Sequence, residues 1–125
     1  LEHIQRVSIP SKAEGTRTSL QSGDLLFSIT GDVGMLGLIP AGFEKAYINQ
    51  HTAMIRCLPE RRNKYIPYLL LTDYAQKFYN ANQHGIKNSF RLDSIGELLV
   101  SIPPEKELFR ILQRISLVLS KIAVL

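Results

Sequence analysis

The sequence predicts an α+β fold: a small mixed sheet domain with one main packed helix and a C-terminal amphipathic, coiled-coil-like helix. Short apolar runs bounded by glycine, aspartate and proline fill the first half of the chain, as strands and turns do. The spacing of apolar residues changes to a helical period from residue 66. A heptad-like pattern begins near residue 105. These three observations place strands first and helices after them.

The predicted strands are short apolar segments that end at turn-forming residues. The first lies between two Gly-Asp pairs, which is typical of a buried strand entered and left through turns. The second contains Gly34 and Gly37, and glycine within a strand indicates a bulge or a close backbone approach. The third stops at Pro59 and the last before Pro103. The predicted strands are residues 25–29, 33–43, 47–58 and 98–102.

The main packed helix is predicted over residues 66–83, because apolar residues recur there at intervals of three and four. Pro67 is acceptable in its first turn. Asp93 is expected to cap a short turn that runs to Glu97.

The C-terminal helix is predicted from about Glu105 onward and carries an a/d seam widened to an a/d/e stripe. Because a helix of this length is marginal alone, its stripe must be buried against something. Two surfaces are alternatives for covering the stripe: the rest of its own domain and a partner helix. We call these residues the apolar stripe: Leu108, Ile111, Leu112, Ile115, Val118, Leu119 and Ile122.

The composition is that of an ordinary globular protein, with 125 residues, 45% hydrophobic and 21% charged. No apolar run approaches the roughly 18–20 residues that span a bilayer, so no membrane association is expected. The single cysteine, Cys57, fits a reducing compartment, and a cytoplasmic location is predicted. The ends of the sequence lack start and stop signals, so we expect either a fragment of a longer polypeptide or trimmed ends.

Positive charge is concentrated in the middle of the chain. The net charge is +4, and residues 44–91 contain eight basic and three acidic residues, a local excess of five. Clustered lysine and arginine neutralise phosphate, so this region is expected to bind nucleic acid; a solvated surface is the alternative. The residues predicted to contact DNA phosphates are Arg56, Arg61, Arg62 and Lys64.

Two polar clusters carry the side chains that read base edges. Asparagine and glutamine pair with adenine, arginine and lysine with guanine, and serine with either. One cluster lies in the loop at residues 82–91 and the other in the third strand region. Ordinary loop polar residues are the alternative interpretation. The predicted base or groove contacts are Asn49, Gln50, Lys87, Asn88, Ser89 and Arg91.

The sequence contains no recognisable catalytic motif. His3, His51 and His84 are not spaced with Cys57 or carboxylates as metal ligands are. A nucleophile elbow, a phosphate-binding P-loop and a dinucleotide fingerprint are all missing from the sequence. We therefore predict a non-catalytic chain with neither a metal nor a cofactor of its own.

Several motifs, in this order, resemble the specificity subunit of type I restriction-modification enzymes. They are the Gly-Asp strand at residues 23–28 with Gly31 and Gly34, residues 65–71, residues 85–92, and Ile102-Pro103-Pro104 before an amphipathic helix. The similarity covers roughly residues 20–120. Residues 1–103 resemble the C-terminal part of a target recognition domain, and residues 104–125 resemble the start of the conserved spacer and dimerisation helix. The sequence departs at Leu108, where that family usually has glutamine, and in having only about twenty residues before the Gly-Asp strand.

The resemblance implies sequence-specific recognition of double-stranded DNA within a restriction system. The chain would direct methyltransferase subunits, and through them the restriction subunit, to the target. S-adenosylmethionine would be held by the methyltransferase subunits. The helix would pair with a matching helix from the rest of the specificity subunit or from a homodimer. The alternative function is a non-catalytic assembly module, whose helix pairs with a partner helix without DNA contact. A separate alternative concerns the parent polypeptide, which would then be a methyltransferase fused to a recognition domain.

Overall fold

The computed structural model describes residues 18–84 and 89–123, which contain a three-stranded sheet. The central strand β1 (Leu25–Ser28) pairs with β2 (Leu36–Leu38) on one side and with β3 (Thr52–Ile55) on the other. Both pairings are antiparallel. The predicted α+β class is confirmed, and its first three strands are present but shorter than predicted. Every strand pair in the described residues is antiparallel, whereas a mixed sheet was predicted.

A 3₁₀ turn (Pro59–Arg61) and four helices follow the sheet in the described part of the chain. The helices are α1 (Tyr65–Leu70), α2 (Asp73–Ala81), α3 (Leu92–Ile95) and α4 (Glu105–Ala123). The single helix predicted over residues 66–83 is divided at Thr72. The backbone of Thr72 is extended, and its hydroxyl accepts a hydrogen bond from the Ala75 amide at 3.5 Å. The first helix therefore ends at Leu70 with Leu71 as its C-cap, and Thr72 is the N-cap of the second.

The polar segment at residues 82–91, predicted as a loop, contains a short β-ladder. Strand β4 (Gln83–His84) pairs antiparallel with β5 (Ser89–Phe90). Phe90 is buried in the core, which anchors the second strand. The turn expected after it is helix α3, with Arg91 rather than Asp93 at its N-cap.

Residues 98–102 do not form the predicted strand. Their backbone is bound by tyrosine hydroxyls: Tyr74 donates to the Leu99 carbonyl and Tyr65 to the Ser101 carbonyl, each at 2.9 Å. The Leu98 side chain is buried against the core. Leu98 and Val100 therefore pack against the core without pairing in a sheet, whereas Leu99 is 80% exposed.

The core is built around three aromatic side chains. The rings of Phe27 and Tyr79 lie edge to face with centroids 4.9 Å apart, and Phe90 lies 5.9 Å from each. The Tyr79 hydroxyl donates to the Leu70 carbonyl at 3.0 Å, and burial raises the pKa of Tyr79 to about 12. Such rings bury large apolar areas, so this cluster fixes β1, α2 and β5 to one another. The buried core comprises Leu25, Phe27, Val33, Ala53, Leu70, Ala75, Tyr79, Phe90 and Leu98.

Helix α4 buries none of its residues. The first four residues of the apolar stripe are half-buried, but Val118, Leu119 and Ile122 are 46%, 45% and 59% exposed. The helix begins beside the predicted domain boundary at residues 103/104, and that division of the chain stays a prediction. Within the described ranges, no helix has both the length and the apolar character needed to cross a membrane.

Candidate nucleic-acid interface

Two segments that carry predicted base contacts meet at the C-terminal end of strand β1. The Ile29 amide donates to the His51 carbonyl at 3.0 Å, and the Phe90 amide donates to the Ile29 carbonyl at 2.8 Å. The polar residues before His51 and after Phe90 are far apart in sequence, yet Ile29 binds both segments. We call this region the amide end of β1; it comprises residues 49–51 and 89–91 with Ile29.

Asn49 shapes the turn that leads into β3. Its Oδ1 accepts hydrogen bonds from the His51 amide at 3.0 Å and from the Thr52 hydroxyl at 3.2 Å. Bidentate pairing with adenine needs both the amide oxygen and the amide nitrogen. Because the oxygen already serves the turn, Asn49 is suited to donate through Nδ2 alone. The neighbouring Gln50 is exposed.

Four base contacts were predicted in and beside the β4–β5 segment, and the structure describes the side chain of one of them, Arg91. Arg91 is exposed, follows β5 directly and occupies the N-cap of α3. Lys87 and Asn88 lie outside the described residues, as does the side chain of Ser89. Their predicted roles stay predictions.

The predicted phosphate contacts lie beyond the opposite end of β1. Arg61, Arg62 and Lys64 are exposed around the 3₁₀ turn and the start of α1. Arg62 Nε donates to the Cys57 carbonyl at 3.1 Å, which fixes the guanidinium against the end of β3. We call these three cations the basic end.

The basic end borders a cleft of about 220 Å³. Its walls combine cationic and amide groups with apolar side chains. The cleft is lined by Gly23, Leu25, Leu38, Cys57, Arg62, Asn63, Lys64 and Pro67.

Arg56 is engaged within the protein. Its Nε and Nη2 donate to Oδ1 and Oδ2 of Asp24, each at 2.7 Å, and Nη2 also lies 3.1 Å from the Ser19 carbonyl. Asp24 is fully buried and accepts a further bond from the Gln21 amide at 2.7 Å. Such two-pronged arginine–carboxylate contacts are strong and directional.

This ion pair favours the charged form of both partners. The hydrogen bond from Arg56 lowers the pKa of Asp24 below its ordinary value although burial acts to raise it, and Arg62 contributes to the lowering. The carboxylate cancels the charge of Arg56, so we do not retain Arg56 among the phosphate contacts. Sequence reasoning attributed Asp24 to turn chemistry, which the Gln21 contact fits, but it missed the ion pair. A carboxylate next to a buried strand needs a charged partner, and that requirement was the available signal.

Five residue steps of about 3.4 Å, about 17 Å in all, separate Asp24 from Ile29, and the amide end and the basic end lie at and beyond the opposite ends of this stretch. The sheet therefore presents two separated groups of polar side chains and not one compact site.

Among the described residues, no group of three or more His, Cys, Asp or Glu side chains is arranged to hold a metal ion. A comparison with protein families finds no family model that matches the chain, and a comparison with curated proteins finds no match. The function is therefore inferred from the residues and contacts described above.

Proposed function

We propose that this chain is a sequence-specific DNA recognition module, part of the specificity subunit of a type I restriction-modification system. The observation that carries the proposal is the arrangement about β1, with candidate base-reading segments joined through Ile29 at one end and three exposed cations beyond the other. DNA-binding proteins divide their contacts in this way: phosphate contacts position the protein and base contacts specify the sequence. The ordered motifs that resemble the specificity subunit support the same function.

At the amide end, each placed side chain has a distinct role in reading bases. Arg91 donates two parallel hydrogen bonds to a guanine, and Gln50 pairs with an adenine. Asn49 donates a single bond while its oxygen keeps the turn closed. Lys87, Asn88 and Ser89 complete the proposed set from the adjoining segment.

At the basic end, Arg61, Arg62 and Lys64 bind phosphate oxygens. The bond to the Cys57 carbonyl uses one of the five N–H donors of Arg62, so a phosphate can take others without displacing it. The sugar attached to that phosphate rests on the apolar wall of the cleft.

The chain itself performs no chemistry in this proposal. Methyltransferase subunits would hold S-adenosylmethionine and modify the target, and they would link the chain to the restriction subunit. The assembly would act in the cytoplasm on double-stranded DNA.

The decisive test is selection of bound duplexes from a randomised library at two salt concentrations, followed by sequencing. We expect an enriched motif for the unaltered chain. Arg91→Ala or Gln50→Ala should relax one position of the motif, at a cost of about 1–3 kcal/mol. Arg62→Gln should weaken all sequences and reduce the salt slope by about one. Lys77→Gln, an exposed substitution on α2 outside both groups, is the control. Salt-sensitive binding without a motif would contradict sequence recognition.

The apolar stripe of α4, exposed at Val118, Leu119 and Ile122, favours a second candidate function, assembly through helix pairing. An amphipathic helix gains stability by burying its apolar face, and none of the α4 residues is buried. Ile115→Asp with Val118→Asp should abolish association measured by light scattering. Gln113→Asp with Ser116→Asp adds the same charges outside the stripe and should leave association unchanged. Loss of association with DNA binding intact would separate assembly from recognition, whereas equal effects of the two pairs would contradict a role for the stripe.

A further inference from the structure

Helix α4 carries a second face, on which four cations flank Leu117, a side chain that is 47% exposed. They are spaced four, four and seven residues apart, so at about 100° per residue they fall within an arc of about 80°. All four side chains are exposed, and the sequence has no acidic residue after Glu107. We call this the cationic face: Lys106, Arg110, Arg114 and Lys121.

The cationic face points away from the apolar stripe. Ile115, near the middle of the stripe, lies about 140° around the helix from the centre of the cationic arc. A surface that covers the stripe therefore leaves the cations accessible. Helices that lie on a membrane also carry lysine and arginine on the face opposite the buried apolar one, so an anionic lipid surface is the alternative ligand of the cationic face. The DNA contacts proposed on the sheet favour DNA, because the same molecule would already hold it.

An exposed ion pair on this face does not prevent binding of an anion. Arg110 Nη1 lies 3.0 Å from Glu107 Oε2, and the two side chains are 77% and 49% exposed. Exposed pairs of this kind contribute little stability and are screened by salt. A phosphate can therefore take the place of Glu107 as the partner of Arg110.

We propose that the cationic face of α4 binds the DNA backbone beside the recognised site. Four helical residues rise about 6 Å, a distance of the same order as two nucleotide steps of about 3.4 Å each along the duplex axis, so Lys106, Arg110 and Arg114 are spaced for repeated contacts with the DNA backbone. The fifteen residues from Lys106 to Lys121 rise about 22 Å, equivalent to six or seven base pairs at about 3.4 Å each. This inference rests on the proposed DNA-binding function. It adds that the helix enlarges the footprint without adding sequence preference.

The test compares two double variants of the whole chain that each remove two positive charges. Arg110→Gln with Arg114→Gln alters the cationic face, and Lys45→Gln with Lys77→Gln alters exposed cations elsewhere. Glutamine keeps a helix propensity close to that of arginine, and circular dichroism checks that the helix is retained. Affinity is measured against salt concentration for a short duplex and for one longer by about two helical turns, or about 20 base pairs.

The helix variant should lower the salt slope on the long duplex by about 1.8, or about 0.9 for each lost phosphate contact, with a smaller change on the short duplex. The control variant should keep the slope of the unaltered chain, and the selected motif should stay the same. An unchanged slope with the motif retained overturns this inference and leaves recognition intact. A lowered slope without any motif supports the cationic face and contradicts sequence recognition. No duplex binding overturns both, and loss of binding to anionic vesicles with the DNA slope unchanged assigns the face to lipid instead.

Discussion

At the scale of single residues, Asp24 connects the stability of the fold to pH. Its pKa is lowered in the folded protein, chiefly by the hydrogen bond from Arg56. A carboxyl group of this kind stabilises the fold above its unfolded pKa of about 3.9, and that contribution is lost as the pH falls through the lowered folded value. Asp24→Asn should therefore lower the melting temperature at neutral pH, and the difference from the unaltered chain should shrink in acid.

Thermal unfolding from neutral to acidic pH measures this difference. Asp32→Asn, an exposed change in the next turn, is the matched control and should leave the acid dependence of stability nearly unchanged. Parallel pH profiles for Asp24→Asn and the unaltered chain would contradict the importance of the ion pair.

Gly34 combines two constraints that an alanine would violate. Its φ is +95°, and a Cβ there would lie 2.9 Å from the ring of the fully buried Tyr79. The backbone conformation alone costs about 1–3 kcal/mol for a residue with a side chain, and the close contact adds to it. Gly34→Ala should therefore lower the free energy of unfolding in urea by more than Gly42→Ala does. Gly42 shares a positive φ of 73° but has open space around it, so equal losses would contradict the role of the contact.

At the scale of elements, the local spacing of apolar residues predicted strands and helices. Hydrogen bonds between residues distant in sequence could not be predicted from that spacing. The apolar run between two Gly-Asp pairs predicted β1, and the spacing of apolar residues predicted helix near residues 66–83 and from Glu105. Residues 98–102 have the composition of a strand, but hydroxyls of Tyr65 and Tyr74 bind their carbonyls. That outcome depends on residues more than twenty positions away, which a local pattern does not contain.

Thr72 lies between α1 and α2, and substitutions can measure what its side chain contributes to the free energy of unfolding. Its hydroxyl accepts from the Ala75 amide at 3.5 Å and donates to the Leu69 carbonyl at 2.6 Å, so one side chain serves both α2 and α1. Thr72→Ala should lower the free energy of unfolding by about 1 kcal/mol, the usual cost of losing an N-cap. Thr72→Ser keeps the hydroxyl and should recover most of that loss in chemical denaturation. Equal stability of the alanine and unaltered chains would contradict the capping role.

At the scale of the whole molecule, the sheet and α4 divide the proposed work. The sheet holds the candidate base-reading segments and the basic end in fixed positions, because β1 is paired on both sides and packed by the aromatic core. Helix α4 presents the apolar stripe and the cationic face in different directions. The candidate site was only partly predictable. The sequence indicated which polar residues could contact DNA, but it did not indicate that they lie at opposite ends of one strand.

The separation of the two ends of β1 limits how far apart their DNA contacts lie. The rise from Asp24 to Ile29, about 17 Å, corresponds to five base pairs at about 3.4 Å each, and we expect side chains that reach out from the two ends to contact DNA within about one helical turn, about 10 base pairs. Arg91→Ala should relax one base position of the motif. Arg62→Gln should abolish interference by ethylation at particular phosphates. We expect that base position and those phosphates to lie within one helical turn of each other. Library selection locates the first and ethylation interference the second, with Lys77→Gln as the control. Contacts more than a turn apart would mean that the two ends act on different stretches of DNA, and a single recognition surface on this sheet would then be wrong.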